Sequence, residues 1–216
     1  MIQRSTSRWS QLSAAAVHLY TASGAVLAFL MVLAAIQGNA VQALWISLIT
    51  LLVDGTDGML ARRFRVSEML PWFDGRKLDD IVDYLTYVFA PILLIWQLNL
   101  LPPGVGGVIM AALPLLASSY QFCRVDAKTD DHFFLGFPSY WNVIAFYAIV
   151  LNLSPMVVGA VVIFWSIMVF VPIRYLYPTR TAAFRSTTLT LSALWLVSFI
   201  LILLQMPTPS PLLVNF

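Results

Sequence analysis

Four aspartates define the chemistry open to this chain. Asp54 and Asp57 stand three residues apart in Asp54-Gly55-Thr56-Asp57-Gly58-Met59-Leu60-Ala61-Arg62, and Asp79 and Asp83 four apart in Gly75-Arg76-Lys77-Leu78-Asp79-Asp80-Ile81-Val82-Asp83. On helices, each pair shares one face, and Ala61 falls on the face of the first pair. Two antiparallel helices joined by a short link could bring all four carboxylates together. Such a cluster repels itself unless something binds it, and carboxylates are hard oxygen ligands suited to magnesium, manganese or calcium. Two divalent ions would neutralise the charge and could clamp a pyrophosphate. Gly58 and Gly75 leave room for a bulky ligand near the backbone. Arg62 offers a planar fork to a phosphate. The competing reading pairs these acids with Arg62, Arg63, Arg65, Arg76 and Lys77. Four aspartates at paired helical spacing, inside or beside apolar spans, favour a functional site.

The elements that must position them are membrane helices. Of 216 residues, 60% are hydrophobic and only 10% charged, with a mean hydropathy of +0.85. A soluble domain carries about a quarter charged residues. A helix needs about 20 apolar residues to cross the hydrocarbon core. Seven candidate spans run near 17–36, 40–60, 81–101, 105–122, 140–153, 156–177 and 187–206, separated by Gln37-Gly38-Asn39, Pro102-Pro103-Gly104, Ser154-Pro155 and Pro178. The fifth is short, and either extends back through Phe133–Pro138 or tilts. The first reads as a retained helix, since its apolar stretch is long and no small-residue cleavage site follows it. Residues 1–16, with Trp9 and Leu12 among polar residues, read either as a surface amphipathic helix or as a tail. Pro207-Thr208-Pro209-Ser210-Pro211 followed by Leu212–Phe216 reads either as the start of a further helix or as a short outer tail. The single Cys123 excludes an intrachain disulfide.

The basic residues lie in the N-terminal tail, or in or beside the links after the second, fourth and sixth spans, and the alternate links carry none. This asymmetry places the charged links, and with them the acids, on the cytoplasmic side.

The pattern D-x2-D-G-x2-A-R, a spacer, then G-x3-D-x3-D resembles the signature of the CDP-alcohol phosphotransferases, matching at Asp54, Asp57, Gly58, Ala61, Arg62, Gly75, Asp79 and Asp83. The spacer between Arg62 and Gly75 is longer than most members carry. With Leu70-Pro71-Trp72-Phe73-Asp74-Gly75, Leu78–Tyr87 and Phe134–Asn142, it is similar to the bacterial branch that makes phosphatidylcholine. The resemblance implies an all-α polytopic membrane bundle in one catalytic domain over 1–216, with a six-helix core plus a C-terminal helix or helices, the last of them either present or lacking. It implies a homodimer in the bacterial inner membrane with its site facing the cytoplasm. It further implies transfer of the phosphatidyl group of CDP-diacylglycerol to choline with release of CMP, two Mg2+ or Mn2+ ions, and no nucleic acid.

By that resemblance, Asp54, Asp57, Asp79 and Asp83 hold the metals, and Asp83 also accepts the proton of the attacking hydroxyl. Gly58, Ala61, Arg62 and Gly75 line the CDP pocket, and His18 and Thr21, at the start of the first span, could touch the nucleotide. A quaternary ammonium is bound by aromatic faces, for which Tyr84, Tyr87, Tyr140 and Trp141 are candidates. Interfacial aromatics also serve as simple membrane anchors. Asp126, Asp130 and Asp131 either add negative charge for the cation or are solvated. Arg124 with Lys128, and Arg174 with Arg180 and Arg185, either hold lipid phosphates or reflect topology alone. Other acceptors (serine, glycerol 3-phosphate, inositol phosphate) keep the chemistry and change the product. A divalent-cation transporter is the alternative from another class, although transporters place such acids near the midplane of repeated halves.

Overall fold

The computed structural model describes residues 8–178, 181–182 and 184–210. Its elements are α1 (Arg8–Ile36), α2 (Ala40–Arg63), α3 (Val66–Met69), α4 (Gly75–Asp83), a π turn (Tyr84–Phe89), α5 (Ala90–Gln97), α6 (Val105–Cys123), β1 (Phe133–Leu135), α7 (Trp141–Val150), α8 (Pro155–Met168), β2 (Arg174–Leu176) and α9 (Arg185–Gln205). Helices α1, α2, α6 and α9 are each long and apolar enough to cross a membrane. The protein is thus a helical membrane bundle.

Helices α1 and α2 form an antiparallel hairpin. Small residues at its seam (Ala28, Ala34, Ala35 and Ala43) bury completely or nearly so and let the backbones approach, as membrane helix pairs require. The turn is the one its sequence specifies: Gly38 takes φ +69° and the Asn39 side chain caps the Gln42 amide at 3.0 Å. Phe146 of α7 and Phe199, Ile202 and Leu203 of α9 complete the core at this end.

Three spans differ from their sequence expectation. The third begins earlier, at Gly75, and runs through α4, the π turn and α5 without a break, about 34 Å at 1.5 Å per residue. The π turn has a local cause. Pro91 offers no N–H, and in a regular helix its ring would meet the Tyr87 carbonyl. The chain widens instead, and the Ala90 amide bonds to Leu85. The fifth and sixth spans are helical for only about 15 and 21 Å, short of a 30 Å hydrocarbon core. The chain before α7 and after α8 is extended instead. Strands β1 and β2 pair antiparallel, with Phe134 opposite Tyr175, and the Gly136 and Phe137 amides bond to Ile173 and Met168 at 2.9 and 3.1 Å. This pairing ties the chain before α7 to the chain after α8. Gly136 is required there, at φ +81°, because a Cβ would lie 2.2 Å from the Val169 carbonyl oxygen. The backward extension expected through 133–138 is therefore strand and loop, not helix.

At the N-terminus, Trp9 and Leu12 belong to the first turns of α1 itself and not to a separate surface helix. Residues 1–7 and 211–216, where a tail or further helix was anticipated, lie outside the described residues.

Candidate active site

The link from α2 to α4 builds one wall of the site. Within it α3 forms, and Val66, with Leu70 just after the helix, buries against Ala14 and Val17 of α1. Asp74 then caps α4 by accepting from the Lys77 amide at 3.1 Å. With α4 started there, Asp79 faces the last turns of α2.

Carboxylate oxygens of Asp54, Asp57 and Asp79 lie within 4.8 Å of one another. They line a cavity of about 10 Å3 together with Thr21, Gly24, Thr50, Val53, Val82, Asp83 and Thr86. Two hydroxyls fix the carboxylates: Thr21 donates to Asp57 at 2.8 Å, and Tyr87 donates to Asp54 at 2.6 Å. Among the described residues no ion pair involves these acids; the ion pairs present are Arg65–Glu68, Arg124–Asp126 and Arg174–Asp131. The competing reading, four acids neutralised by the neighbouring basic residues, is not what the chain adopts. Three convergent carboxylates around an ion-sized space, held from behind by hydroxyls, fit a hard divalent cation. Asp83 shares the cavity wall but is not one of the three close carboxylates.

Beside this cavity opens a cleft of about 790 Å3. Gly58, Ala61, Arg62, Gly75, Thr21 and His18 all line it, and Asp57 and Asp79 border both spaces. Gly75 makes room for a neighbour: a Cβ there would lie 2.6 Å from Cε1 of His18. The His18 ring packs on Phe73 at 4.3 Å, and its Nε2 is buried without a hydrogen-bond partner among the described residues. Trp72, from the extended spacer, stands 78% exposed at the rim.

The four candidate aromatic residues separate. Tyr87 and Tyr140 pack together, with centroids 6.2 Å apart, next to Asp54. Tyr84 instead turns toward α6 and donates to the Leu115 carbonyl at 3.1 Å. Trp141 is fully buried, with its indole N–H given to Ser118 at 2.8 Å. Neither joins the Tyr87–Tyr140 pair. Two rings lie edge-on to Tyr140 at 6.4 Å: Phe137, which in turn packs on Trp141, and Phe134, which stacks on Tyr177 at 4.7 Å. The Lys128 ammonium sits over the Phe134 and Tyr177 rings, 5.8 and 5.9 Å from their centroids, and its charge acts on Asp54, Asp79, Asp80 and Asp83. Phe134 and Tyr177 escaped sequence reasoning because they are far apart in the chain and meet only through strand pairing; the one available signal was the aromatic density of 133–141.

Of the remaining charges, Asp126 is taken by Arg124 at 2.7 Å, which holds its carboxyl below the usual range. Asp131 accepts from Thr129 and pairs with Arg174 at 3.0 Å, and is lowered likewise. Both are exposed, surface-paired groups. Arg180 lies outside the described residues.

Residues 15–209 match the family described as CDP-alcohol phosphatidyltransferase. Curated relatives carry the name phosphatidylcholine synthase. One from Pseudomonas aeruginosa is 41% identical over 92% of this chain and 83% of its own length. One from Rhizobium johnstonii is 35% identical over 96% and 86%. One from Legionella pneumophila is 42% identical over 76% of this chain and 64% of its own length. With the match spanning the acids, the cleft and nearly every helix, the chain belongs to the CDP-alcohol phosphatidyltransferase family.

Proposed function

We propose that the protein transfers the phosphatidyl group of CDP-diacylglycerol to choline, releasing CMP and phosphatidylcholine. The observation that carries this reading is the convergence of Asp54, Asp57 and Asp79, with Asp83 on the same wall, at the inner end of an open cleft. Asp54, Asp57, Asp79 and Asp83 would hold two divalent ions, Mg2+ or Mn2+, which when bound neutralise the carboxylates and draw charge from the pyrophosphate. Gly58, Ala61, Arg62, Gly75, Thr21 and His18 form the nucleotide side of the cleft, where the Arg62 guanidinium can meet a phosphate. Asp83, outside the close trio, takes the proton of the acceptor hydroxyl. A new bond joins the acceptor oxygen to the lipid-side phosphorus, the bond from that phosphorus to the bridging oxygen breaks, and the electron pair leaves with CMP.

The names of the relatives support choline as the acceptor, and Tyr87 and Tyr140 supply aromatic faces beside the acids. The distribution of basic residues supports a bacterial inner-membrane protein whose site opens to the cytoplasm, and the family resemblance supports a homodimer.

The test is CMP release from CDP-diacylglycerol by purified protein with Mn2+, with choline, serine, glycerol 3-phosphate or inositol phosphate supplied in turn. Release driven by choline alone is expected. Release with another acceptor would overturn the substrate and keep the chemistry, and none with any acceptor would overturn both.

A further inference from the structure

Lys128 is a cation that already sits where a cation could be read. Its ammonium lies within cation–π range of two stacked rings, Phe134 and Tyr177. Those rings adjoin Tyr140, Tyr140 adjoins Tyr87, and Tyr87 donates to Asp54. A continuous aromatic path thus leads from the lysine to the acids.

The lysine is exposed and has no carboxylate within ion-pair distance among the described residues. An exposed ammonium is strongly hydrated, yet this one lies 5.8 and 5.9 Å from the two ring centroids, within the range at which a cation is drawn to aromatic rings. The same two rings would hold another small cation in its place. The seat is built from both sides of the strand pair: Phe134 lies in β1, Tyr177 directly follows β2, and Lys128 bridges to Phe134 across the preceding loop.

We propose that the Phe134–Tyr177 pair is the seat for the quaternary ammonium of the acceptor, and that Lys128 is a tethered cation that occupies the seat until the acceptor displaces it. This rests on choline being the acceptor. A tethered occupant lowers apparent affinity by the fraction of time it holds the site. It also keeps a neutral alcohol from taking the seat, because only another cation recovers what the lysine gives up.

The test is steady-state CMP release with choline, together with inhibition by its uncharged carbon counterpart, 3,3-dimethylbutan-1-ol. Lys128→Met, which keeps the side-chain length and removes the charge, is expected to lower the choline KM roughly fivefold. Tyr177→Leu and Phe134→Leu are expected to cut the preference for choline over the neutral counterpart by roughly fivefold or more. A merely structural role for the rings would weaken both ligands alike and leave that ratio unmoved. The proposal is overturned if Lys128→Met leaves the choline KM unchanged or raises it, or if its effect falls on the KM for CDP-diacylglycerol instead, which would make Lys128 a phosphate ligand. It is equally overturned if the ratio is unmoved in both ring variants. Wild-type protein that turns over choline in those cases retains the acceptor assignment and loses only the seat, whereas wild-type protein inert to choline loses the acceptor assignment itself.

Discussion

Asp83 differs from Asp54, Asp57 and Asp79 by position and not by type. It lines the same cavity yet is not one of the three carboxylates whose oxygens all lie within 4.8 Å of one another, and it is the carboxylate proposed above to receive the acceptor's proton. Asp83→Asn is expected to reduce turnover by about 10^2- to 10^4-fold while CDP-diacylglycerol still binds. Separate measurement of lipid-nucleotide binding and CMP release checks this, and loss of binding would count against a base at that position. The hydroxyls behind the carboxylates make a second case. Thr21 and Tyr87 each donate to one carboxylate oxygen of an acid, and where such a carboxylate holds a metal, removing the orienting group costs about 10- to 100-fold in metal affinity. Thr21→Val and Tyr87→Phe should weaken Mn2+ binding by that order, read by electron paramagnetic resonance of the bound ion without any turnover. At this scale the sequence revealed the acids, because helical spacing preserves a face through folding. It did not reveal that Thr21 serves Asp57, since that contact joins two helices whose register no local pattern encodes. Nor did it separate Tyr87 from Tyr84: an aromatic pattern on one strip of chain says nothing of which ring turns toward α6.

Between Asp83 and Pro91 the chain solves a geometrical conflict. A proline inside a spanning helix forces either a kink or a widened turn, and here the π turn at Tyr84–Phe89 absorbs it while presenting Tyr87 to Asp54. Pro91→Ala removes the cause of the widened turn. The segment is then expected to relax toward regular helix, with a thermal midpoint unchanged or raised. Rotation of Tyr87 away from Asp54 should lower CMP release by roughly 10- to 100-fold, in line with the cost of a misplaced catalytic group. A variant with both wild-type stability and wild-type turnover would show that the π turn is incidental. Gly75 makes the complementary case at the start of the same segment: Gly75→Ala drives a methyl group into the His18 ring, so it should raise the KM for CDP-diacylglycerol more than it changes protein stability, checked by kinetics beside thermal unfolding. The hairpin of α1 and α2 was legible because Gly38 and Asn39 carry turn and cap chemistry in their residue types. The short α7 and α8 were not, because an apolar run is compatible with helix or with paired strand and periodicity alone does not choose between them. Only the long-range pairing of 133–137 with 168–176 decides which one forms.

For the whole molecule, the determining fact is that the acids, the cleft and the basic links share one end of the bundle. Positive charge flanking membrane helices faces the cytoplasm, and a soluble product such as CMP has to be released on the side where the cleft opens. The chain carries its own reporter of this orientation. Cys123 is the only cysteine, is exposed, and ends α6 immediately before Arg124. Arg124 is in turn fixed by Asp126 at 2.7 Å, which ties that helix end to the charged loop leading into β1. A membrane-impermeant maleimide added to spheroplasts, whose outer face is exposed, should therefore leave the protein unlabelled, and the same reagent added to inverted vesicles should label it. Cys123→Ser supplies the blank, and because the thiol is not among the residues lining either the acid cavity or the cleft, labelling reads topology and not occupancy of the site. Labelling from the outer face would reverse every link at once. The Asp54–Asp57–Asp79 cavity would then face away from the nucleotide pool, and the positive-inside assignment would fall together with the cytoplasmic orientation of the site. Labelling from the inner face alone fixes the ends of α2, α4 and α6 on the cytoplasmic side, because those three ends are joined through the acid cluster and the Tyr84 contact to α6 and cannot be turned independently.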